Sequence, residues 1–330
     1  MKHLKFLMGS VLTVLAMTQF AHADTFTDRK KILSDIRTTN YKARPIQVGW
    51  NPGTYNQDTL FFWGHKYWPL ANHLSQKMGR MVSFVPENNR QTLLNQVRNQ
   101  TYSWLYVQAD VSVVAQEFGY MPVAYMTREF ESVFVVPAQS PIQKTSELKG
   151  KSIGVLDNSN DMRLARYYLN VEGWNANFKN IKGGGYPELE AMLKAKKVEA
   201  VAMSRTAAAD LLKRNEGEFK IFASAGSIPL GIWLAHNSVP NSEITAIVST
   251  LETSPKDLYV SAGLKFADNE KAFTPFTKDH LKYMRAAMNY NEPDYGRQVY
   301  DPRKDAFIEF NTAFSDSQVK PELKTPNPCG

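Results

Sequence analysis

The feature that most limits how this chain can fold is a repeated alternation. A short apolar run is followed by a polar turn and then by a segment whose apolar residues recur at helical spacing. Ile46-Gln47-Val48-Gly49-Trp50 alternates as a half-buried strand and runs into the turn Asn51-Pro52-Gly53. Between Tyr67 and Met78 the apolar positions Trp68, Leu70, Ala71, Leu74 and Met78 keep a helical period, and Gly79 stops the helix. Met81 to Val85 reads as a second strand and Arg90 to Gln100 as a helix with Leu93, Leu94 and Val97 on one face. Trp104 to Val107 is a third strand, and Val111 to Phe118 a helix closed by Gly119. Units of this kind build a mainly parallel sheet, so the expected class is α/β.

The pattern continues downstream. Glu131 to Pro137 is a β-branched strand, Ser140-Pro141 a turn and Lys144 to Gly150 a short helix. The strand Lys151 to Leu156 delivers Asp157-Asn158-Ser159-Asn160-Asp161 to the start of a helix over Met162 to Asn170. Polar residues there cap the helix, and the free N–H groups of its first turn also hold acceptors, so Asn158, Ser159, Asn160 and Asp161 are candidates for ligand contact as well as for capping. Lys179 to Ile181 reads as a short strand and Pro187 to Lys196 as a helix. The strand Val198 to Met203 then brings Ser204 and Arg205 to the helix Ala207 to Arg214. Ser204 and Arg205 carry the same two readings, and an arginine there can fork onto a carboxylate. Asp110, directly after a strand, either faces a cleft or caps the next helix. Tyr55 lies in a polar turn and suits ligand contact, whereas Tyr67 and Trp68 open an amphipathic helix and suit packing. Beyond the extended Gly231 to His236, helices are expected to fill most of the chain, with Glu243 to Leu251 and Asp279 to Asn291 the clearest; the tail after Gln318 reads as irregular.

The first residues carry a separate message. Two lysines within Met1 to Lys5, an apolar run over Phe6 to Phe20 and Ala21-His22-Ala23 form an export signal expected to be cut near Ala23. The run is shorter than a membrane-spanning helix needs. The single cysteine, Cys329, rules out an intramolecular disulfide and stands far from any lipoprotein cleavage point. The net charge of +7 is spread out, and no basic stretch interleaves with aromatics, so nucleic acid is not an expected partner. Enzyme signatures are missing: no His-Glu-x-x-His, no Gly-x-Ser-x-Gly and no base beside the terminal cysteine. Gly183-Gly184-Gly185 lacks the lysine and hydroxyl of a phosphate loop and reads as a turn. No cofactor and no metal is expected.

Three stretches resemble the phosphonate-type periplasmic binding proteins of ABC transporters. They are Tyr67 to Gly79; Ser132-Val133-Phe134-Val135-Val136 with Ser140-Pro141-Ile142; and Glu147 to Val155. The resemblance implies a two-lobed type II periplasmic binding fold with a hinge of two crossing segments, near Val135 to Ala138 and near Ile228 to Trp233. Residues 24–135 and 233–330 would form lobe one, and 136–232 lobe two with the hinge crossings. It implies a periplasmic monomer that closes on a small molecule and hands it to an ABC permease. The alternative on the same fold is a sensory or accessory protein docking on a periplasmic kinase or dehydrogenase. Against the family pattern, one hydroxyl remains in Asn158-Ser159-Asn160-Asp161, Val107-Gln108-Ala109-Asp110 replaces a Gly-Pro turn, and Tyr186 stands where the family has histidine. A desolvated carboxylate at Asp161 would repel a dianion by on the order of a few kcal/mol. These departures point to a neutral, zwitterionic or cationic ligand, with Tyr55, Trp63 and Tyr186 offering aromatic faces.

Overall fold

The computed structural model describes residues 44–51, 60–87, 89–262, 264–291, 298–301 and 306–309. The expected signal over 1–23, Tyr55, the tail after Gln318 with Cys329, and the side chain of Trp63 lie outside them.

The chain begins with β1 (Ile46–Trp50), α1 (Leu60–Met78), β2 (Val82–Pro86), α2 (Arg90–Arg98), β3 (Trp104–Val107), α3 (Ala109–Ala115) and β4 (Tyr120–Met126). A second lobe follows, made of β5 (Glu129–Pro137), β6 (Ser152–Leu156), α4 (Asn160–Val171), β7 (Asn177–Ile181), α5 (Tyr186–Lys194), β8 (Ala200–Ser204), α6 (Arg205–Arg214) and β9 (Phe219–Pro229). The chain then returns to the first lobe with β10 (Ile232–His236), α7 (Asn241–Glu252), β11 (Phe273–Pro275) and α8 (Lys282–Asn291). A separate hairpin joins β12 (Gln298–Asp301) to β13 (Ala306–Glu309).

The six-stranded sheet has the order β11-β4-β10-β3-β1-β2, and the five-stranded sheet β7-β6-β8-β5-β9. Each has a parallel part, β1 with β2 and β3 in one and β6 with β7 and β8 in the other. The strands next to the crossings run antiparallel to their neighbours, so the sheets are mixed where a mainly parallel sheet was expected. The expected first crossing near Val135 to Ala138 falls inside β5, which pairs with β9 from Glu129 to Pro137. Sheet membership changes earlier, across Thr127 and Arg128, and changes back across Leu230 and Gly231.

β5 reads as a continuous apolar run because both faces of its sheet are covered. Val133 and Val135 pack with Leu189, Leu193 and Leu211 on one side, and Phe134 and Val136 with Met162, Ala165 and Leu169 on the other. α4 has a second apolar stripe, Leu164 and Tyr167, which packs into the first lobe with Met284, Ala287 and Met288 of α8. Burying a side chain of this size contributes about 1.5–3 kcal/mol, so the two lobes meet through a true apolar contact. Tyr283 of α8 reinforces it: its ring meets Tyr167 edge-on at 5.4 Å, and its hydroxyl donates to the Ala225 carbonyl at 2.8 Å. This close approach explains Gly226, which sits at φ +107° and where a Cβ would fall 2.5 Å from the Tyr283 ring.

Candidate ligand-binding seam between the lobes

Parallel strands gather their C-terminal ends, and the helices that follow them, along one edge of each sheet. In such folds that edge is where ligands bind. In the first lobe it carries Asn51 after β1, Arg90 after β2, and Gln108 and Asp110 after β3. Asn51 ties two of these loops together by donating from Nδ2 to the Glu87 carbonyl at 2.9 Å. In the second lobe α4, α5 and α6 all begin on the equivalent edge, at Asn160, Tyr186 and Arg205. The two edges face each other. Asn160 Nδ2 donates to Gln108 Oε1 at 3.2 Å, and Arg163 Nη1 lies 3.7 Å from Asp110 Oδ2.

On the first-lobe side the buried carboxylate of Asp110 is ion-paired. Arg90 Nε donates to Asp110 Oδ2 at 2.8 Å, and Arg163, fully buried, also donates to the Asn158 carbonyl at 2.7 Å. Burial alone would push the Asp110 carboxyl up, but the two guanidiniums outweigh it and hold the group below its usual range. This carboxylate therefore stays ionised, and two cations share it.

The second-lobe side differs. Asp161 is 1% exposed, and burial raises its carboxyl to about 7. Tyr186 donates to Asp161 Oδ2 at 3.0 Å, and Ser132 stands near enough to favour the ionised form without completing a hydrogen bond. Tyr186 is itself shifted well above the usual phenol range, first by burial and then by the Asp161 carboxylate. Buried polar atoms with no hydrogen-bond partner among the described residues lie on both sides of the seam: Asp161 Oδ1, Asn160 Oδ1 and Ser132 Oγ on this side, and Asp110 Oδ1 on the other. Buried polar groups are rarely left so, and their clustering marks a place built for something else to bond to.

The residues proposed from sequence divide accordingly. Asp110, Asn160, Asp161 and Tyr186 come together at the seam. Ser159 serves as a cap, its Oγ accepting from Met162 N at 2.9 Å and donating to the Leu156 carbonyl at 2.7 Å. Ser204 likewise accepts from Ala207 N at 3.2 Å. Asn158 adopts φ +59°, is exposed, and contributes its carbonyl to Arg163. Arg205 forks onto Glu131 with both Nε and Nη2, so the carboxylate it grips belongs to its own lobe. Tyr67 is core, in ring contact with Trp50, Phe84 and Tyr106. Arg90, Gln108, Arg163 and Ser132 were not singled out from the sequence. Arg90 and Gln108 follow strands just as Asp110 does, so the same rule finds them. Arg163, one turn into a helix, and Ser132, inside an apolar strand, carry no such signal. Among the described residues no group of His, Cys, Asp and Glu gathers as a metal site requires, and no helix is long and apolar enough to cross a membrane.

Residues 64–281 match the family described as the ABC transporter phosphonate periplasmic substrate-binding protein. The chain belongs to this family. Its members are periplasmic receptors that bind a small solute and deliver it to an ABC permease, and this chain is a solute-binding protein of that kind. Solved structures agree on the two-lobed fold. XAC2383 from Xanthomonas citri, bound to ATP, is similar over 76% of this chain and 99% of its own, with TM-score 0.60 and 14% identity. PhnD1 from Prochlorococcus marinus, in complex with methylphosphonate, is similar over 74% and 97%, with TM-score 0.57 and 18% identity. The aliphatic sulphonate-binding protein SsuA from Escherichia coli is similar over 81% and 98%, with TM-score 0.60 and 15% identity. At these identities the likeness establishes the fold alone. No curated protein matches the chain in sequence.

Proposed function

We propose that this solute-binding protein takes its ligand in the seam between the two sheet edges, and that the ligand is neutral, zwitterionic or cationic. Asp110 with Arg90 and Gln108 would meet it from the first lobe, and Asn160, Asp161 and Tyr186 from the second. The observation that carries the reading is the buried Asp161 carboxyl at the head of α4, where a phosphonate dianion would otherwise profit from free backbone N–H groups. A second negative charge beside that carboxyl raises the cost of both. We further propose that the chain is exported with cleavage near Ala23, acts as a monomer, and works by binding and closure without catalysing a reaction. The relatives that bind methylphosphonate or aliphatic sulphonates set the contrast: they are natural first candidates, and Asp161 argues against the dianionic one.

The test is a thermal-shift screen of the mature protein against phosphonates, sulphonates, amino acids, amines and inorganic oxyanions, with small-angle scattering on the hits to follow closure. The expected hit carries no net dianionic charge. Strongest stabilisation by a phosphonate would overturn the ligand reading. Stabilisation by no solute at all would overturn binding at the seam.

A further inference from the structure

Resting on the reading that the two lobes close on a solute, we infer that α8 is a strap: it ties the second lobe to the first and limits, through a tyrosine seated in a bulge of β9, how far the seam between them opens. By chain order and by its core, α8 belongs to the first lobe. Met284, Ala287 and Met288 are buried in one cluster with Leu93, Leu94, Val97, Val111 and Val114. Arg285 is buried as well and donates from Nη2 to Gln116 Oε1, just past the end of α3. Tyr283, two residues earlier, reaches the other lobe. A helix turns by about 100° per residue, so side chains two positions apart leave it on nearly opposite sides. Tyr283 and Arg285 thus give α8 one polar hold on each lobe.

The seat on the second lobe is shaped to this ring. Ser132 and Val133 of β5 stand opposite Gly226 and Ser224 of β9, so Ala225 between them is an extra residue, a β-bulge. A bulge turns a backbone group out of the ladder, and here the Ala225 carbonyl accepts from the Tyr283 hydroxyl at 2.8 Å. Gly226 takes φ +107°, its N–H donates to Ser224 Oγ at 3.1 Å, and the Cβ it lacks leaves the space that the ring fills. Tyr167 of α4 completes the seat edge-on. The bulge also sits where it matters for closure, since Ser132 opposite it lies at the seam and β9 leads directly into the return crossing at Leu230 and Gly231. Swinging the second lobe outward must either drag α8 off the first lobe, exposing Met284, Ala287 and Met288 and breaking the Arg285 bond, or draw Tyr283 out of the bulge. The second route gives up far less buried apolar surface, so the tyrosine seat is the part of the strap that yields.

The experiment uses the mature protein without added solute. In a Cys329→Ser background, spin labels attached through Gln91→Cys on α2 and Ala209→Cys on α6, both exposed positions, report the distance between the lobes by double electron resonance. The parent is expected to give one main, short distance. Tyr283→Phe deletes only the hydroxyl and should raise the long-distance population about two- to tenfold, as the loss of one neutral hydrogen bond warrants. Gly226→Ala drives a Cβ into the ring and should raise it further, with a smaller effect once the ring is removed by Tyr283→Ala. A Tyr283→Phe distribution identical to the parent's overturns the inference, whatever the glycine variant does. An equal effect of Gly226→Ala with and without the ring overturns it too, because the cause is then backbone strain alone. So does a parent in which long distances already dominate, since the strap is then not engaged. None of these outcomes bears on whether a solute stabilises the protein in the thermal-shift screen, so the receptor reading fails only there.

Discussion

Asp110 and Asp161 occupy the same place in two versions of one device. Each is the second residue of a helix that starts after the C-terminal end of a parallel strand, each is buried, and the two helices face each other across the seam. Their chemistry is nonetheless opposite. Two guanidiniums hold the Asp110 carboxyl low, whereas Asp161, with a phenol and a serine for neighbours, is pushed up to about 7. Position in the fold decides that a carboxyl is buried; the partners decide whether it is a fixed anion or a group waiting for a charge.

The largest effect is expected from breaking the ion-paired side. Arg163→Met removes one of the two cations beside Asp110 together with the bond to the Asn158 carbonyl. Losing one member of a buried charge cluster costs about 3–5 kcal/mol, and urea unfolding should register a loss of that size. Because the pair spans the lobes, the variant should also open more readily in solution scattering. Combining it with Asp110→Asn should cost less than the sum of the single losses, since the second change removes the charge the first one stranded. Additive losses would mean that the 3.7 Å approach of Arg163 to Asp110 carries no coupling.

The Asp161 side should respond with the opposite sign. A carboxyl raised from 3.8 to about 7 binds a proton more tightly in the folded protein than in the unfolded chain. Its contribution to stability therefore falls as pH rises from about 4 to about 7 and stays flat above that. Asp161→Asn abolishes this loss. The variant is expected to be more stable than the parent at pH 8, by on the order of a few kcal/mol, and to show little advantage near pH 4. Melting curves of both proteins across that range measure it. Parallel profiles would place the Asp161 carboxyl near its ordinary value and blunt the contrast with Asp110.

A smaller effect attaches to the neutral link between the edges. Gln108→Ala and Asn160→Ala each delete one end of a 3.2 Å side-chain bond. A double-mutant cycle should return a coupling of about 0.5–1.5 kcal/mol, well below that of the charged pair.

Much of this arrangement was legible in the sequence, and for a physical reason. Strand and helix periodicities are local, so the order of elements that brings Asp110, Asn160 and Asp161 to helix starts could be read without coordinates. What depended on distant partners could not. β4 and β9 escaped notice because Pro122 and the run Ala223-Ser224-Ala225-Gly226-Ser227 are poor strand material, held extended by β10 and β5. The first crossing was expected after the apolar part of β5 because nothing local distinguishes Glu129 to Glu131 as already paired with β9. Arg163 looked like an ordinary helix residue, since its burial comes from the other lobe. Ser159, for which ligand contact was the leading reading, and Ser204, for which capping and ligand contact stood even, both cap their helices by accepting from Met162 N and Ala207 N.

Arg205 gives the smallest expected effect and the sharpest control. It opens the third helix on the same edge, so by position it belongs with Asp110 and Asp161. Its side chain is nevertheless 46% exposed, and it turns away to Glu131, whose carboxyl is held below its usual range chiefly by the hydrogen bond from Arg205. An acid depressed in this way stabilises the fold above its unfolded pKa and loses that contribution as pH falls through the folded value. Solvent screens a pair this open, so Arg205→Ala should cost only about 0.2–1 kcal/mol at neutral pH. The cost should shrink further in high salt, unlike that of Arg163→Met, because the Debye length then falls to a few ångströms while the buried cluster stays shielded from ions. Urea titrations of the two variants at low and high salt compare them directly. A cost for Arg205→Ala as large and as salt-insensitive as for Arg163→Met would mean that occupying a helix start at this edge, and not burial between the lobes, is what gives these charged residues their weight.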